Sequence, residues 1–276
     1  MKFSAQSGVA AAAVLAASIT AATPASAGIG DLLVAPTRIV LDGRKGAEVI
    51  LNNIGDEPAT YRISVEFRRM TVDGGLVDVV EPSAEDKLAQ DMIVYAPRRV
   101  TLAPHQPQSV RVTARAPEGL PDGEYRVHLL FRAIPPAHPV SADKPNDAPK
   151  GLRFALIPVY GVTIPVIVRF GNLAATAGIA NVHLETRDGK PTVALDLSRS
   201  GARSTFGEVR VLKPGVRDPI AIQKAVAVYK ELAMRHVSIP VDEAFKGALS
   251  GPVTVQYAET YDDGSHIIAE TQAVLR

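Results

Sequence analysis

Hydrophobic and polar side chains alternate along most of the chain, and the alternating runs are short. A period of two is typical of half-buried β-strands, and helical spacing of apolar residues is scarce here. Six such runs lie in the first half of the chain: residues 33–40, 47–52, 60–70, 98–102, 108–114 and 124–134. Turn-forming residues such as Asp42-Gly43 and Pro121-Asp122-Gly123 separate them. The pattern predicts an all-β protein built from sandwiches.

The longest alternating run covers residues 152–170, whereas strands usually have about 3 to 10 residues. Apart from Pro158, every second side chain from Leu152 to Phe170 is a sizeable hydrophobe. A surplus apolar strand promotes aggregation unless it is covered or kept for a partner. We therefore predict a strand that the protein lends to another protein. The alternative is that these side chains fill only the core of their own domain.

A second set of strand patterns begins near residue 177. Its runs are 179–186, 192–198, 207–212, 220–229, 234–241, 252–261 and 265–275. The proline-rich composition of residues 135–150 is typical of a loop, and it precedes the long run. We predict one β-domain over residues 28–170, with this loop and a donor strand at 152–170, and a second β-domain over residues 171–276.

Residues 1–27 predict export. Lys2 precedes a stretch rich in alanine, valine and leucine, which ends in Ala25-Ser26-Ala27. A positive residue, a short apolar stretch and an A-x-A motif are typical of a secretory signal peptide. The alternative is a membrane anchor, which the short stretch and its interruption by Pro24 disfavour. We expect a soluble, exported mature protein.

The composition argues against several kinds of site. Acidic and basic residues nearly balance at a formal net charge of +1, and no long basic run is present, so we expect no nucleic-acid partner. The chain has no cysteine, which excludes disulfides and thiolate metal sites. The six histidines are scattered without His-x-His or His-x3-His spacing: His105, His128, His138, His183, His236 and His266. We expect no metal.

Motifs of catalysis are also lacking. The sequence contains no Gly-x-Ser-x-Gly elbow and no glycine-rich phosphate loop of the Walker or dinucleotide type. We therefore expect neither a cofactor nor an enzyme. An exported hydrolase on a β-sandwich would require acidic or histidine side chains grouped in a cleft.

Four stretches of the first domain, in this order and spacing, resemble the periplasmic pilus-assembly chaperones of the PapD type. They are residues 37–43, residues 102–104 with 109–112, residues 120–126, and residues 131–136. The second domain is similar only in length and strand character. The resemblance implies two immunoglobulin-like β-sandwich domains joined at an angle. It also implies periplasmic localisation and the lending of a strand that completes a subunit's unfinished sandwich.

The resemblance also implies site residues. The lending face would consist of Leu152, Phe154, Leu156 and Tyr160. In the family, an arginine on the first strand and a lysine on the lending strand bind the client's terminal carboxylate. Arg38 matches the arginine, for which the alternative is a solvated surface charge, whereas Pro165 stands in the place of the lysine.

A structural ion pair between the domains is matched by Glu124 and Arg169. In the family an aspartate of the second domain joins this pair, and Asp262 and Asp263 lie near the expected place. We predict that the pair orients the domains.

The sequence thus predicts a periplasmic, ATP-independent chaperone for pilin-like or other exported β-rich subunits. An outer-membrane usher is a further candidate partner, and self-capping of the donor strand by dimerisation stays open. The alternative is a secreted structural or adhesive β-sandwich subunit of a surface polymer. Because such a subunit would carry a free N-terminal donor segment, the internal position of the long run favours the chaperone.

Overall fold

A computed structural model describes residues 31–135, 159–261 and 264–276. The predicted signal peptide at 1–27, most of the proline-rich segment and the donor side chains Leu152, Phe154 and Leu156 lie outside these residues. The described chain is almost entirely β-structure, which confirms the predicted fold class: two immunoglobulin-like sandwiches follow each other along the sequence.

Eleven strands and one helix lie in the described part of the first sandwich. They are β1 (Leu32–Ala35), β2 (Ile39–Leu41), β3 (Ala47–Asn53), β4 (Ala59–Glu66), β5 (Arg68–Met70), β6 (Leu76–Asp78), α1 (Ala84–Met92), β7 (Ile93–Ala96), β8 (Arg99–Leu102), β9 (Pro107–Ala114), β10 (Gly123–Ile134) and β11 (Gly161–Phe170). One sheet has the order β1-β3-β9-β7 and the other β2-β11-β10-β4-β8, while β5 and β6 form a separate hairpin. All pairs are antiparallel except β2 with β11, which are parallel.

Seven strands lie in the described part of the second sandwich. They are β12 (Ala175–Arg187), β13 (Lys190–Gly201), β14 (Thr205–Leu212), β15 (Ala221–Val228), β16 (Met234–Pro240), β17 (Gly251–Tyr261) and β18 (Gly264–Leu275). The sheet β12-β13-β16 packs on the sheet β15-β14-β17-β18, with a core of alternating valine, leucine and isoleucine side chains.

Side chains of β10 alternate between its two faces, and the two faces are buried in different surroundings. Val127, Leu129 and Phe131 are buried in the core of the first sandwich. The residues between them lie on the opposite face, where Glu124 and His128 are also buried, each with 1% of its surface exposed. Because polar side chains on an outer sheet face are normally solvated, their burial shows that another element covers this face.

The second domain provides that cover. Met70 and Ile167 of the first domain pack with Ala227 and Tyr229 of the second in a small hydrophobic cluster. The hairpin of β5 and β6 extends the contact, because the His236 N–H donates to the carbonyl of Val72 at 2.7 Å. The two domains therefore meet on the outer face of the β11-β10-β4 sheet.

The structure corrects three local predictions. The run 33–40 is two strands in different sheets, since Pro36 has no N–H with which to continue the β1 ladder. The run 60–70 ends as β4 and resumes as β5. The helix α1 was not predicted, although the Ser83 hydroxyl and the Asp86 carboxylate cap its start reciprocally.

The described part of the chain contains one helix, α1, which has 9 residues. No helix there is long and apolar enough to cross a membrane.

Candidate functional site

The first half of β11 has one edge without a partner strand. β11 pairs with β10 along its whole length, but with β2 only from Val166 to Val168. Within the described residues, the other edge of Gly161–Pro165 therefore has no strand beside it. We call these five residues the open edge.

Backbone direction decides which groups the open edge offers. The carbonyl of Tyr160 accepts a hydrogen bond from the N–H of Ala133 at 2.9 Å, so Tyr160 faces β10. Successive residues of a strand direct their backbone groups to opposite edges. Gly161 and Thr163 therefore direct their N–H and C=O groups away from β10, whereas Pro165 has no N–H to offer.

Arg38 lies at the inner end of the open edge. It directly precedes β2, and the pairing of Ile39 with Val166 puts Arg38 beside Pro165. Its Cζ atom lies 4.3 Å from the centre of the Phe206 ring, which belongs to the second domain. The Nη1 atom is buried without a hydrogen-bond partner in the described structure. Burial also lowers the pKa of the Arg38 guanidinium.

Apolar side chains lie at the outer end of the open edge. Val159 is 41% exposed and Tyr160 is 57% exposed. Of the four predicted donor side chains, Tyr160 is the one in the described structure, and it lies at the surface. Leu152, Phe154 and Leu156 precede it outside the described residues.

Glu124 and Arg169 lie opposite each other on β10 and β11, with 2.9 Å between the Arg169 Nε and the Glu124 Oε2 atoms. The second domain contributes Ser204, whose N–H and hydroxyl donate to the same carboxylate oxygen at 3.0 and 2.9 Å. Its carbonyl accepts from Arg169 Nη2 at 3.1 Å. Asp262 and Asp263, which the resemblance suggested for this contact, lie outside the described residues.

A second interdomain ion pair was missed by sequence reasoning. Glu231 of the second domain accepts from Arg126 at 2.6 Å and from the N–H of Met70 at 3.0 Å. Burial alone would raise the pKa of Glu231, but the hydrogen bonds and charge of Arg126 outweigh it and lower the pKa. The Arg126 guanidinium also lies 3.8 Å from the centre of the Tyr229 ring. No local pattern marks these residues, because each contact joins distant parts of the chain.

His128 is the third polar residue of β10 on this face. It lies opposite Pro165, and its ring centroid is 6.4 Å from that of Tyr229. Both ring nitrogens are buried without a hydrogen-bond partner among the described residues. Burial, and secondarily the charge of Arg126, lowers the pKa of His128 to about 4. The ring is therefore neutral near pH 7.

Histidine and acidic side chains also line a cleft of about 390 Å³ beside β13 and β16, as a hydrolase would require. His236 Nδ1 contacts Asp196 Oδ1, but the Ser238 hydroxyl donates to Glu185 at 3.0 Å. The serine is thus not paired with the histidine as a nucleophile is with its base. In the described part of the chain, no group of three histidine or acidic side chains has the geometry to hold a metal ion.

Several solved structures with similar folds are chaperones. The E. coli chaperone DraB is 16% identical with a TM-score of 0.44, over 90% of this chain and 98% of that chain. The SafB chaperone in complex with the SafA pilin of Salmonella enterica is 15% identical with a TM-score of 0.44, over 90% and 98%. The Pseudomonas aeruginosa CupB2 chaperone is 14% identical with a TM-score of 0.43, over 88% and 100%.

These proteins are of the kind that the sequence resembles. At identities of 14% to 16%, the likeness is one of fold. No protein-family model and no curated protein matches the chain.

Proposed function

We propose that this protein is a periplasmic chaperone, not an enzyme, that holds pilin-like or other exported β-rich subunits by adding its own strand to their sheets. The open edge of β11 is the observation that carries the proposal. An extended client segment gains main-chain hydrogen bonds from an unpaired edge, and pockets for alternate side chains give specificity. Strand addition of this kind consumes no ATP.

The donor side chains in this proposal are Leu152, Phe154, Leu156 and Tyr160. They share the parity of the alternating run that continues into β11. Burial of one leucine or phenylalanine contributes about 1.5 to 3 kcal/mol, so three such anchors give roughly 5 to 9 kcal/mol before ordering costs. The backbone ladder would fix the register of the client.

Arg38 is proposed as the anchor for the client's terminal carboxylate. Its guanidinium has an unpartnered nitrogen at the inner end of the open edge, which supports this role. A planar guanidinium can donate two parallel hydrogen bonds to one carboxylate. With Pro165 in place of a lysine, Arg38 would act there without a lysine beside it on β11.

The remaining parts of the proposal concern organisation. Residues 1–27 are proposed as the signal peptide, and residues 28–170 and 171–276 as the two domains. Glu124 and Arg169 are proposed to fix the domain orientation together with Ser204. An outer-membrane usher and a self-capping dimer are proposed partners of the client-bound and free forms.

Co-purification from the periplasm of the native host tests the proposal. We expect the tagged native protein to capture a small exported β-rich protein. A Phe154→Asp, Leu156→Asp double variant should lose it, because charges replace two apolar anchors. Capture of no partner, or of the same partner by both forms, would favour the structural subunit of a surface polymer.

A matched pair of variants tests the edge itself. Thr163→Pro removes an N–H that points away from β10, so the β10–β11 ladder stays intact while the client loses one donor. Thr163→Val is the control, because it removes only the hydroxyl, which donates to Glu66 at 2.7 Å. We expect capture to weaken with proline and to persist with valine. Equal capture by both variants would exclude the open edge as the docking site.

A further inference from the structure

The Arg38 side chain is held in place by an aromatic ring. Within the described part of the chain, no hydrogen bond or ion pair engages its guanidinium, and Nη1 is buried without a partner. The guanidinium lies over the Phe206 ring, with its Cζ atom 4.3 Å from the ring centre. Burial lowers the pKa of Arg38, and the raising effects of Tyr229 and Glu124 only partly offset it. Among the described residues, no acceptor therefore competes with a ligand for the donors of this guanidinium.

Phe206 is itself firmly held by the second domain. It lies at the start of β14, and its N–H donates to Glu259 Oε1 at 3.0 Å. Two residues earlier, Ser204 binds the buried carboxylate of Glu124. The backbone on both sides of the ring is thus fixed, once within the second domain and once to the first domain.

We propose that Phe206 is a positioning residue for Arg38, so that capture of a client carboxylate depends on contact between the two domains. The inference rests on the proposed function. A bidentate bond requires the guanidinium plane to match that of the carboxylate, and a ring face close to the guanidinium restrains it without using any N–H. The Glu124–Arg169 pair contributes indirectly, because Ser204 leads the chain into Phe206.

Two measurements test this inference. Ring-current shifts of the Arg38 Nε–H signal in ¹⁵N NMR spectra report the contact between Phe206 and Arg38 without any client. Binding is then measured with a synthetic C-terminal peptide of the co-purified subunit, carrying either a free carboxylate or an amide. The variants are Phe206→Leu, Phe206→Tyr as the control that keeps the ring, Arg38→Ala, and the Phe206→Leu, Arg38→Ala double variant.

We expect Phe206→Leu to lose the ring-current shift and to bind the free-carboxylate peptide about fivefold to tenfold more weakly. Phe206→Tyr should bind like the native protein. The amidated peptide should be insensitive to Phe206→Leu, and the double variant should bind no more weakly than Arg38→Ala alone.

The outcomes separate this inference from the proposed function. If the native protein binds the peptide and Phe206→Leu binds it equally well, the positioning role is wrong and the chaperone proposal stands. Equal loss with both peptides, or additive loss in the double variant, also overturns the positioning role, because Phe206 would then act without Arg38. If the native protein binds neither peptide, both proposals fail.

Discussion

Glu124 of the first domain and Ser204 of the second are joined through one carboxylate oxygen. Glu124 Oε2 accepts from the N–H and the hydroxyl of Ser204 and from Arg169 Nε, at distances from 2.9 to 3.0 Å. The Glu124 side chain has 0% of its surface exposed. A carboxylate so deeply buried is costly to the fold unless donors compensate for its lost hydration.

Removal of Arg169 should therefore be costly. Arg169→Leu leaves Glu124 buried without its countercharge, and we expect a loss of about 3 to 5 kcal/mol in the free energy of unfolding. Denaturation by urea measures it. Lys190→Met is the control, since Lys190 and Glu243 form an ion pair whose side chains are 64% and 80% exposed, and we expect no measurable change there. A similar small effect for both variants would contradict the structural role of the Glu124–Arg169 pair.

The hairpin of β5 and β6 provides a second test of the domain contact. Gly74 has φ +80°, and a Cβ atom there would lie 2.2 Å from Arg235 Nη2. Gly119 has φ +73° with nothing within 4 Å of such an atom. Alanine at either position costs about 1 to 2 kcal/mol for its left-handed backbone. Gly74→Ala must in addition displace Arg235, whose Nη1 donates to the carbonyl of Ala227 at 2.6 Å.

We therefore expect Gly74→Ala to destabilise the protein by about 1 kcal/mol more than Gly119→Ala, the value of a typical hydrogen bond. Calorimetric unfolding of both variants gives the difference. Equal effects would indicate that the hairpin is not seated against Arg235 in solution.

Two buried tyrosines differ in the hydrogen bonding of their hydroxyl groups. The Tyr125 hydroxyl donates to the carbonyl of Pro121 at 2.8 Å, a link across a strand corner that recurs in immunoglobulin-like sandwiches. The Tyr61 hydroxyl is buried without a partner in the described structure. Tyr125→Phe should cost about 0.5 to 1.5 kcal/mol, whereas Tyr61→Phe should be neutral or stabilising. A larger loss of stability for Tyr61→Phe than for Tyr125→Phe in urea unfolding experiments would contradict these hydrogen-bond assignments.

The sequence predicts the β-strands well and their contacts poorly. Period-two alternation depends on neighbours in the chain, so β3, β9 and β10 are predicted within one residue or two. The helix α1 was missed because its apolar face is narrow, with Ala89 and Met92 as its buried apolar residues.

The residues of the candidate site also fall into two groups: those that local sequence motifs identify and those that only a contact between domains identifies. Arg38, Glu124 and Arg169 were named through a resemblance that lies in local motifs. The resemblance did not identify Phe206 and Ser204, because their importance comes from a contact between domains. The spacing of residues in one strand does not show which residue of another domain will cover that strand. Tyr229, beside both Arg126 and His128, is a third example.

The buried ring of His128 predicts the pH dependence of stability. Its pKa in the folded protein is lowered from 6.5 to about 4, mainly by burial, so the unfolded chain binds a proton more readily than the folded one. The stabilising contribution is therefore present above pH 6.5 and is lost as the pH falls toward 4. This pKa shift corresponds to a total change of about 3 kcal/mol in the free energy of unfolding.

His128→Leu removes this titration and keeps an apolar side chain against Tyr229, so its stability should stay level between about pH 6.5 and 5, where the native protein loses about 2 kcal/mol. Urea denaturation at several pH values gives the free energy of unfolding of the native protein and of His128→Leu. Glu66 and Glu231, which face His128, do not obscure this window, since their pKa values are lowered from 4.5. His105→Gln is the control, because His105 is 68% exposed and its variant should follow the native curve. A native curve as level as that of His128→Leu would mean that the ring is solvated and not covered by the second domain.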